Sequence, residues 1–246
     1  MIAYIPPEEP PFHSTGKSVS KQTFEDNLKK YGSYTKIPQK EKNKTFELCG
    51  RSEVKDLLFA ASSGKCVYCE LNPSDTGSRE NDHFLPKSSY HDLAFDWGNY
   101  LPCCRNCNMH KNDQDPNILG AFKPGSEDPR PHLQFDSMKI EPHPSSSKFS
   151  EIDQLIKMCK LNRKSLLKSR SIVLIDLMLF EDALSEALNS YEKAKTARTK
   201  NSRLSTLRSA LENVQSYSLM DQAHSAMSAY YLAKSKVVEK AMKHFE

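Results

Sequence analysis

Cys66-Val67-Tyr68-Cys69, Asn81-Asp82-His83-Phe84-Leu85-Pro86-Lys87, Asp96-Trp97-Gly98-Asn99-Tyr100-Leu101-Pro102 and Cys104-Arg105-Asn106-Cys107-Asn108-Met109-His110-Lys111 follow one another in the middle of the chain. Their order decides how the rest is read. Two Cys-x-x-Cys turns can bring four thiolates to one tetrahedral Zn²⁺. The 34 residues between the turns exceed the roughly 15–20 of common zinc ribbons, so further structure is inserted between the two halves. Pairing Cys103 with Cys107 would leave three intervening residues and a poorer turn. Cys103, Cys49 and Cys159 are therefore left outside the site, the last two as small core residues.

Working outward, glycine and proline divide the chain. All 8 glycines lie at or before Gly125 and all 14 prolines at or before Pro144, so nothing beyond Pro144 interrupts an α-helix. Leu166, Ile172, Ile175, Leu179, Ala183, Leu184, Leu188 and Tyr191 recur at helical spacing, with Asn162 as N-cap of a helix running to about Lys195. Helices over 203–216 and 219–244 follow, giving a helical bundle. At the other end, the proline-rich first 20 residues read as an extended arm. Helices follow over 21–31 and 51–63, the second stopped by Gly64. Ser14-Thr15-Gly16-Lys17-Ser18 has the tail of a phosphate-binding loop, but Pro11 stands where its first glycine belongs. No repeat of 20–50 residues is visible.

Composition narrows the class. A mean hydropathy of −0.66, with 27% charged and 37% apolar residues, suits a chain that builds a core. The longest apolar stretch, Ile172 to Phe180, is interrupted by Asp176, short of the roughly 20 apolar residues of a membrane helix. The amino-terminal residues lack a basic segment followed by an apolar one, so a cytoplasmic location is expected. Seven cysteines, an odd number, then favour metal over disulfides. The net charge of +4 is uneven: residues 61–150 carry nine bases and twelve acids, and residues 151–246 carry sixteen bases and eleven acids. Chemistry in the middle and electrostatic contacts at the sides are expected. Lys157, Lys160, Arg163, Lys164, Lys168 and Arg170, with Lys193, Lys195, Arg198, Lys200, Arg203 and Arg208, are the candidate phosphate-binding clusters.

The sequence of elements Cys-x-Tyr-Cys, Asp-His-x-x-Pro-Lys, Asn-Tyr-Leu-x-x-Cys and Cys-Asn-x-x-Lys over 66–111 resembles the HNH endonuclease superfamily with its ββα-metal finger. The resemblance implies an α+β, mostly α protein. Its parts would be an arm with helices over 1–60, a zinc-bearing nuclease domain over 61–149 and a helical domain over 150–246. By the same resemblance His83 is the general base and Asp82 a ligand of a catalytic Mg²⁺ or Mn²⁺. Asn99 holds the loop between the strands and orients the base. The third signature position falls on Asn108, giving an H-N-N pattern similar to the HNH domain of CRISPR effector nucleases, where asparagine supplies a metal oxygen. Zn²⁺ at the four cysteines is structural. His110 competes for the third position but lies two residues later, on a different side of a helix. Lys111, at i+3 from Asn108, and Lys87 are the expected contacts to substrate phosphate.

The chemistry matches these residue types. Phosphodiester hydrolysis needs a base for the attacking water and a cation beside the scissile phosphate, and neutral imidazole can take a proton near pH 7. Downstream, Asp128-Pro129-Arg130-Pro131-His132-Leu133-Gln134-Phe135 and Lys160-Leu161-Asn162-Arg163-Lys164 through Arg170 extend the resemblance to the HNH nuclease subunits of Septu anti-phage systems and of some retrons, which partner a separate ATPase. The expected function is a metal-dependent DNA endonuclease in a defence complex with an ATPase subunit. A ribonuclease acting on structured RNA such as tRNA is the alternative. A catalytically silent zinc-stabilised scaffold is the third reading, and a pure scaffold has no need of Asp82, His83 and Asn108.

Overall fold

The computed structural model describes residues 1, 4–73 and 78–245. Over these residues the chain is mostly helical α+β, with two small two-stranded sheets. An amino-terminal layer comprises α1 (Pro11–Tyr31), α2 (Gln39–Thr45), α3 (Glu47–Gly50) and α4 (Ser52–Ala61). The centre holds β1 (Arg79–His83), β2 (Tyr100–Cys104), α5 (Arg105–Lys111), α6 (Pro116–Leu119) and a hairpin of β3 (Leu133–Asp136) and β4 (Lys139–Pro142). The carboxy-terminal block is α7 (Phe149–Met158), α8 (Lys164–Glu192), α9 (Ala197–Ser216), α10 (Ser225–Leu232) and α11 (Lys236–Met242). Among the described residues no helix is long and apolar enough to cross a membrane.

β1 and β2 pair antiparallel, from Arg79 opposite Cys104 to His83 opposite Tyr100. The chain then turns directly into α5, so strand, strand and helix form one small unit. The five residues of β1 are all polar, and β2 is buried throughout. The sheet is therefore anchored by β2, while β1 presents polar side chains at its outer edge. Amino-terminal helices pack against the far side of this unit. Phe24, Val54, Leu58, Phe95, Trp97 and Tyr100 make one core. A second core joins the cysteine turns to Phe135, Ile140, Ile152, Leu155 and Met227. The third lies among α8, α9 and α11.

Four local features differ from the sequence reading. Helix α1 begins at Pro11 inside the expected arm, because proline at the first helical position lacks an N–H that would be unpaired anyway. Residues 2 and 3 of that arm lie outside the described residues. The N-cap of α8 is Arg163. Asn162 instead crosses to the hairpin, accepting from the Ile140 N–H at 2.9 Å and donating to its carbonyl at 2.8 Å. The expected helix over 219–244 is split into α10 and α11, since Ser235 caps a new helix by accepting from the Val238 N–H. The hairpin β3–β4 was not expected at all. Its tight turn passes through Ser137 at φ 50, without the Asn-Gly or Asp-Gly pair that normally advertises such a turn.

Candidate metal centre and adjoining polar cavity

The Sγ atoms of Cys66, Cys69, Cys104 and Cys107 all lie within 4.8 Å of one another, and all four residues are buried. Cys69 and Cys104 are 3.8 Å apart. A tetrahedron with Zn–S bonds of about 2.3 Å has edges of about 3.8 Å, so the four thiols fit Zn²⁺. The first turn is closed by the Glu70 N–H donating to the Cys66 carbonyl at 2.9 Å, with Glu70 in the left-handed region. The Val67 N–H bonds the Pro102 carbonyl at 3.1 Å, which fastens this turn to β2. Burial pushes the Cys66 thiol well up, whereas hydrogen bonds from Cys107, Cys66 and Cys69 hold Cys104 far down. A cation bound by the four sulfurs would favour their thiolate forms.

Residues around the cluster extend its reach. Arg163 donates to Cys107 Sγ at 3.5 Å, bringing positive charge to the thiolates. Glu70 accepts from the Ala226 N–H at 2.9 Å, and buried Lys65 donates to the Gln222 carbonyl at 2.7 Å and Ser225 Oγ at 2.9 Å. The cysteine turn thereby clamps the start of α10.

Against β1 and α5 lies a polar cavity of about 280 Å³ bordered by Asn81, Asp82, His83, Lys87, Asn108 and Asp113 among others. His83 Nε2 is 2.8 Å from the Ala94 carbonyl oxygen. A carbonyl only accepts, so Nε2 carries the proton and Nδ1 carries the lone pair. The same oxygen also accepts from Tyr100 Oη at 3.1 Å, which fixes its position. Burial, then the Lys87 and Lys111 ammonium groups, lower the His83 pKa to about 3 against the pull of the Ala94 oxygen. The imidazole is neutral at physiological pH.

Oxygen donors share this cavity. Asp82 accepts from Tyr68 Oη at 2.5 Å and from Lys111 Nζ at 3.0 Å. A carboxylate offers about four acceptor sites, so others remain. Asn108 donates through Nδ2 to Glu80 at 2.7 Å, which turns its Oδ1 away as an acceptor. Asn81 donates to the Cys49 carbonyl at 2.7 Å, while its Oδ1 is buried with no partner among the described residues. Carboxylate and amide oxygens around an orphaned acceptor suit a hard divalent cation. Asn99 lies behind the loop: it accepts from the Leu85 N–H at 2.8 Å and donates to the Leu85 and Leu93 carbonyls at 3.0 and 3.1 Å.

The fold thus brings Asp82, His83, Lys87 and Asn108 to one cavity and keeps His110 off its wall. Lys111 sits elsewhere than expected. Its ammonium group is 1% exposed and bonds Asp82 and the His83 carbonyl at 2.8 Å, where no phosphate reaches it. Two members of the first basic cluster are also engaged internally, Arg163 at the cysteines and buried Arg170 on the Met138 carbonyl. Sequence reasoning did not select Glu80, Asn81 or Tyr68. The polar run of β1 pointed to the first two, and the position of Tyr68 between ligand cysteines pointed to the third. It also gave no role to Phe46, whose ring meets His83 edge-on with centroids 6.2 Å apart.

Fold and site together define a mostly helical α+β protein built on a buried four-cysteine centre beside a histidine-lined polar cavity. No family model matches the chain. It is similar to a Septu protein PtuB of Bacillus thuringiensis, 32% identical over 117 residues, which cover 44% of this chain and 46% of the relative. A Septu protein PtuB of Bacillus mycoides (strain KBAB4) is 30% identical over 175 residues, 59% of each chain. The aligned regions thus span about half the length of these relatives.

Proposed function

We propose that the chain is an HNH nuclease and the effector subunit of a Septu-type anti-phage complex with a separate ATPase. The observation that carries this reading is the fixed tautomer of His83, whose bare Nδ1 borders the same cavity as the oxygens of Asp82 and Asn108. Zn²⁺ at the four cysteines holds β2 and α5 in place and takes no part in the chemistry. A hard divalent cation held by Asp82 and Asn108 would offset charge on the scissile phosphate. His83 Nδ1 accepts a proton from water as the water oxygen bonds phosphorus. The bond from phosphorus to O3′ breaks, and O3′ leaves with its electron pair and takes a proton from solvent, giving 5′-phosphate and 3′-hydroxyl ends. The pKa of about 3 in the free site keeps the base unprotonated. Similarity to the two PtuB proteins supports the defence assignment.

The test is incubation of the zinc-loaded protein and Mg²⁺ with plasmid DNA and with total tRNA, with and without the co-expressed ATPase. Nicked or linear plasmid that disappears with His83→Ala is the expected result. Cleavage of tRNA alone would shift the substrate to RNA, and no cleavage under any condition would leave the scaffold reading.

A further inference from the structure

The cavity at His83 does not end there. A second space of about 230 Å³ touches His83, Asn108 and Glu80 and runs onto Phe46, Gly50 and Lys55. A third, of about 670 Å³, continues over Tyr34, Lys42, Phe46, Arg51, Lys87 and Asp113. Lys87 borders all three. The far wall of this groove is built by α2 and α3 of the amino-terminal layer.

That wall is strongly basic. Residues 29–55 contain eight bases and three acids, whereas the whole protein has a net charge of only +4. Lys42 and Lys87 hold their ammonium groups over the faces of Tyr34 and Phe46 at 4.4 and 4.3 Å rather than against carboxylates. The acids that do line the groove are Glu47 in the outer part, Asp113 in both the outer part and the His83 cavity, and Glu80 and Asp82 beside the histidine. The negative groups at the inner end are those suited to a cation; the outer space is bordered by Lys42 and Arg51, and the space between it and the histidine by Lys55. By contrast, the carboxy-terminal cluster after Lys157 has two of its arginines turned inward.

We propose that this groove is the track of a single phosphodiester strand, with Lys42, Arg51 and Lys55 contacting successive phosphates and leading the chain to His83. The inference rests on the nuclease reading and adds to it a binding surface outside the signature motif. A basic groove that tracks the backbone with aromatic side chains along it is the combination that holds single strands without reading their sequence.

The experiment measures binding of fluorescein-labelled DNA and RNA oligonucleotides, single-stranded and duplex, to the full-length zinc-loaded protein across a salt series. His83→Ala is the background, so that nothing is cut. The triple variant Lys42→Gln, Arg51→Gln, Lys55→Gln should weaken single-strand binding about tenfold or more and reduce the salt slope by about 2, since each lost phosphate contact removes about 0.7. A control triple variant, Lys193→Gln, Lys195→Gln, Arg198→Gln, should change binding less than threefold. Unchanged zinc content and circular dichroism establish that each variant is folded. Wild-type-like binding by the groove variant, stronger loss in the control, or preference for duplex overturns the track. The nuclease reading is tested apart from this, by whether cleavage with His83 intact is lost in His83→Ala.

Discussion

The two sites carried by the β1–β2–α5 unit are built on opposite plans. The four-cysteine centre is closed: its donors are soft, buried on every side, and supplied by two short turns whose spacing is written in the chain. The His83 cavity is open, its donors are hard oxygens, and its walls come from β1, α5, the loop after β1 and the amino-terminal helices. A closed site of the first kind contributes folding energy, whereas an open one leaves room for water and substrate. The contrast teaches that one small strand–strand–helix unit can carry a closed, stabilising site and an open, polar one side by side.

The largest effect expected is loss of the closed site. Cys69→Ser, or removal of zinc by a chelator, should unfold the centre, because structural zinc supplies on the order of 10–16 kcal/mol of apparent binding energy. The clamp from Glu70 and Lys65 to the start of α10 carries the damage into the carboxy-terminal block. Thermal melting with zinc analysis checks this. A cooperative melt at the wild-type temperature in zinc-free protein would remove the contrast.

His83→Ala should do the reverse, reducing cleavage by about 10²–10⁴ while zinc content is kept. The Ala94 carbonyl left behind still accepts from Tyr100, so the fold does not inherit an unpaired buried oxygen. Cleavage assays beside melting curves separate the two results, and undiminished cleavage would take His83 out of the chemistry.

The same contrast explains what could be read in advance. The four cysteines and the mostly helical ends were legible because ligand spacing and helical periodicity are local signals. β1 was legible only through its motif, since Arg79-Glu80-Asn81-Asp82-His83 shows no apolar alternation. The role of the amino-terminal layer was not legible. Phe46, Cys49 and Arg51 reach the cavity through tertiary packing, and nothing in their sequence neighbourhood points to His83. Lys111 was misplaced because helical phase tells which residues share a face, not whether that face is inside. Its partner Asp82 lies 29 residues earlier.

Lys111 therefore offers a sharper test, because it comes from α5, the helix that also carries Cys107, and pairs with Asp82 of β1. Lys111→Met leaves Asp82 buried without its cation, and breaking a buried pair in this way costs about 3–5 kcal/mol. Denaturant titration should show that loss, with zinc still bound. A variant as stable as wild type would mean that Asp82 finds compensation elsewhere in the cavity.

Acid should produce a smaller, graded effect. His83 and His224 both have pKa values lowered to about 3 by burial and nearby cations. Each is neutral in the fold and takes up a proton more readily when unfolded, so its contribution is full above about pH 6.5 and lost as pH falls toward 3. Between pH 7.5 and 5.5 each costs about 1.4 kcal/mol. His224→Gln should flatten that slope in denaturant titrations, and an unchanged slope would show that His224 is not held neutral.

The smallest effect is expected at His110. It shares α5 with Asn108, but it lies off the cavity wall, whereas Asn108 borders the cavity and has its amide oriented by Glu80. A surface substitution away from packed features usually changes stability by no more than about 0.5 kcal/mol, and with no place on the cavity wall His110→Ala should leave cleavage close to wild type. Asn108→Ala should lose activity and raise the Mg²⁺ concentration needed for what remains. Cleavage measured across a Mg²⁺ series compares them directly. If His110→Ala proves the more damaging, the open site is built around the other side of α5, and its separation from the cysteines, which Cys107 on that same helix supplies, is narrower than the cavity wall implies.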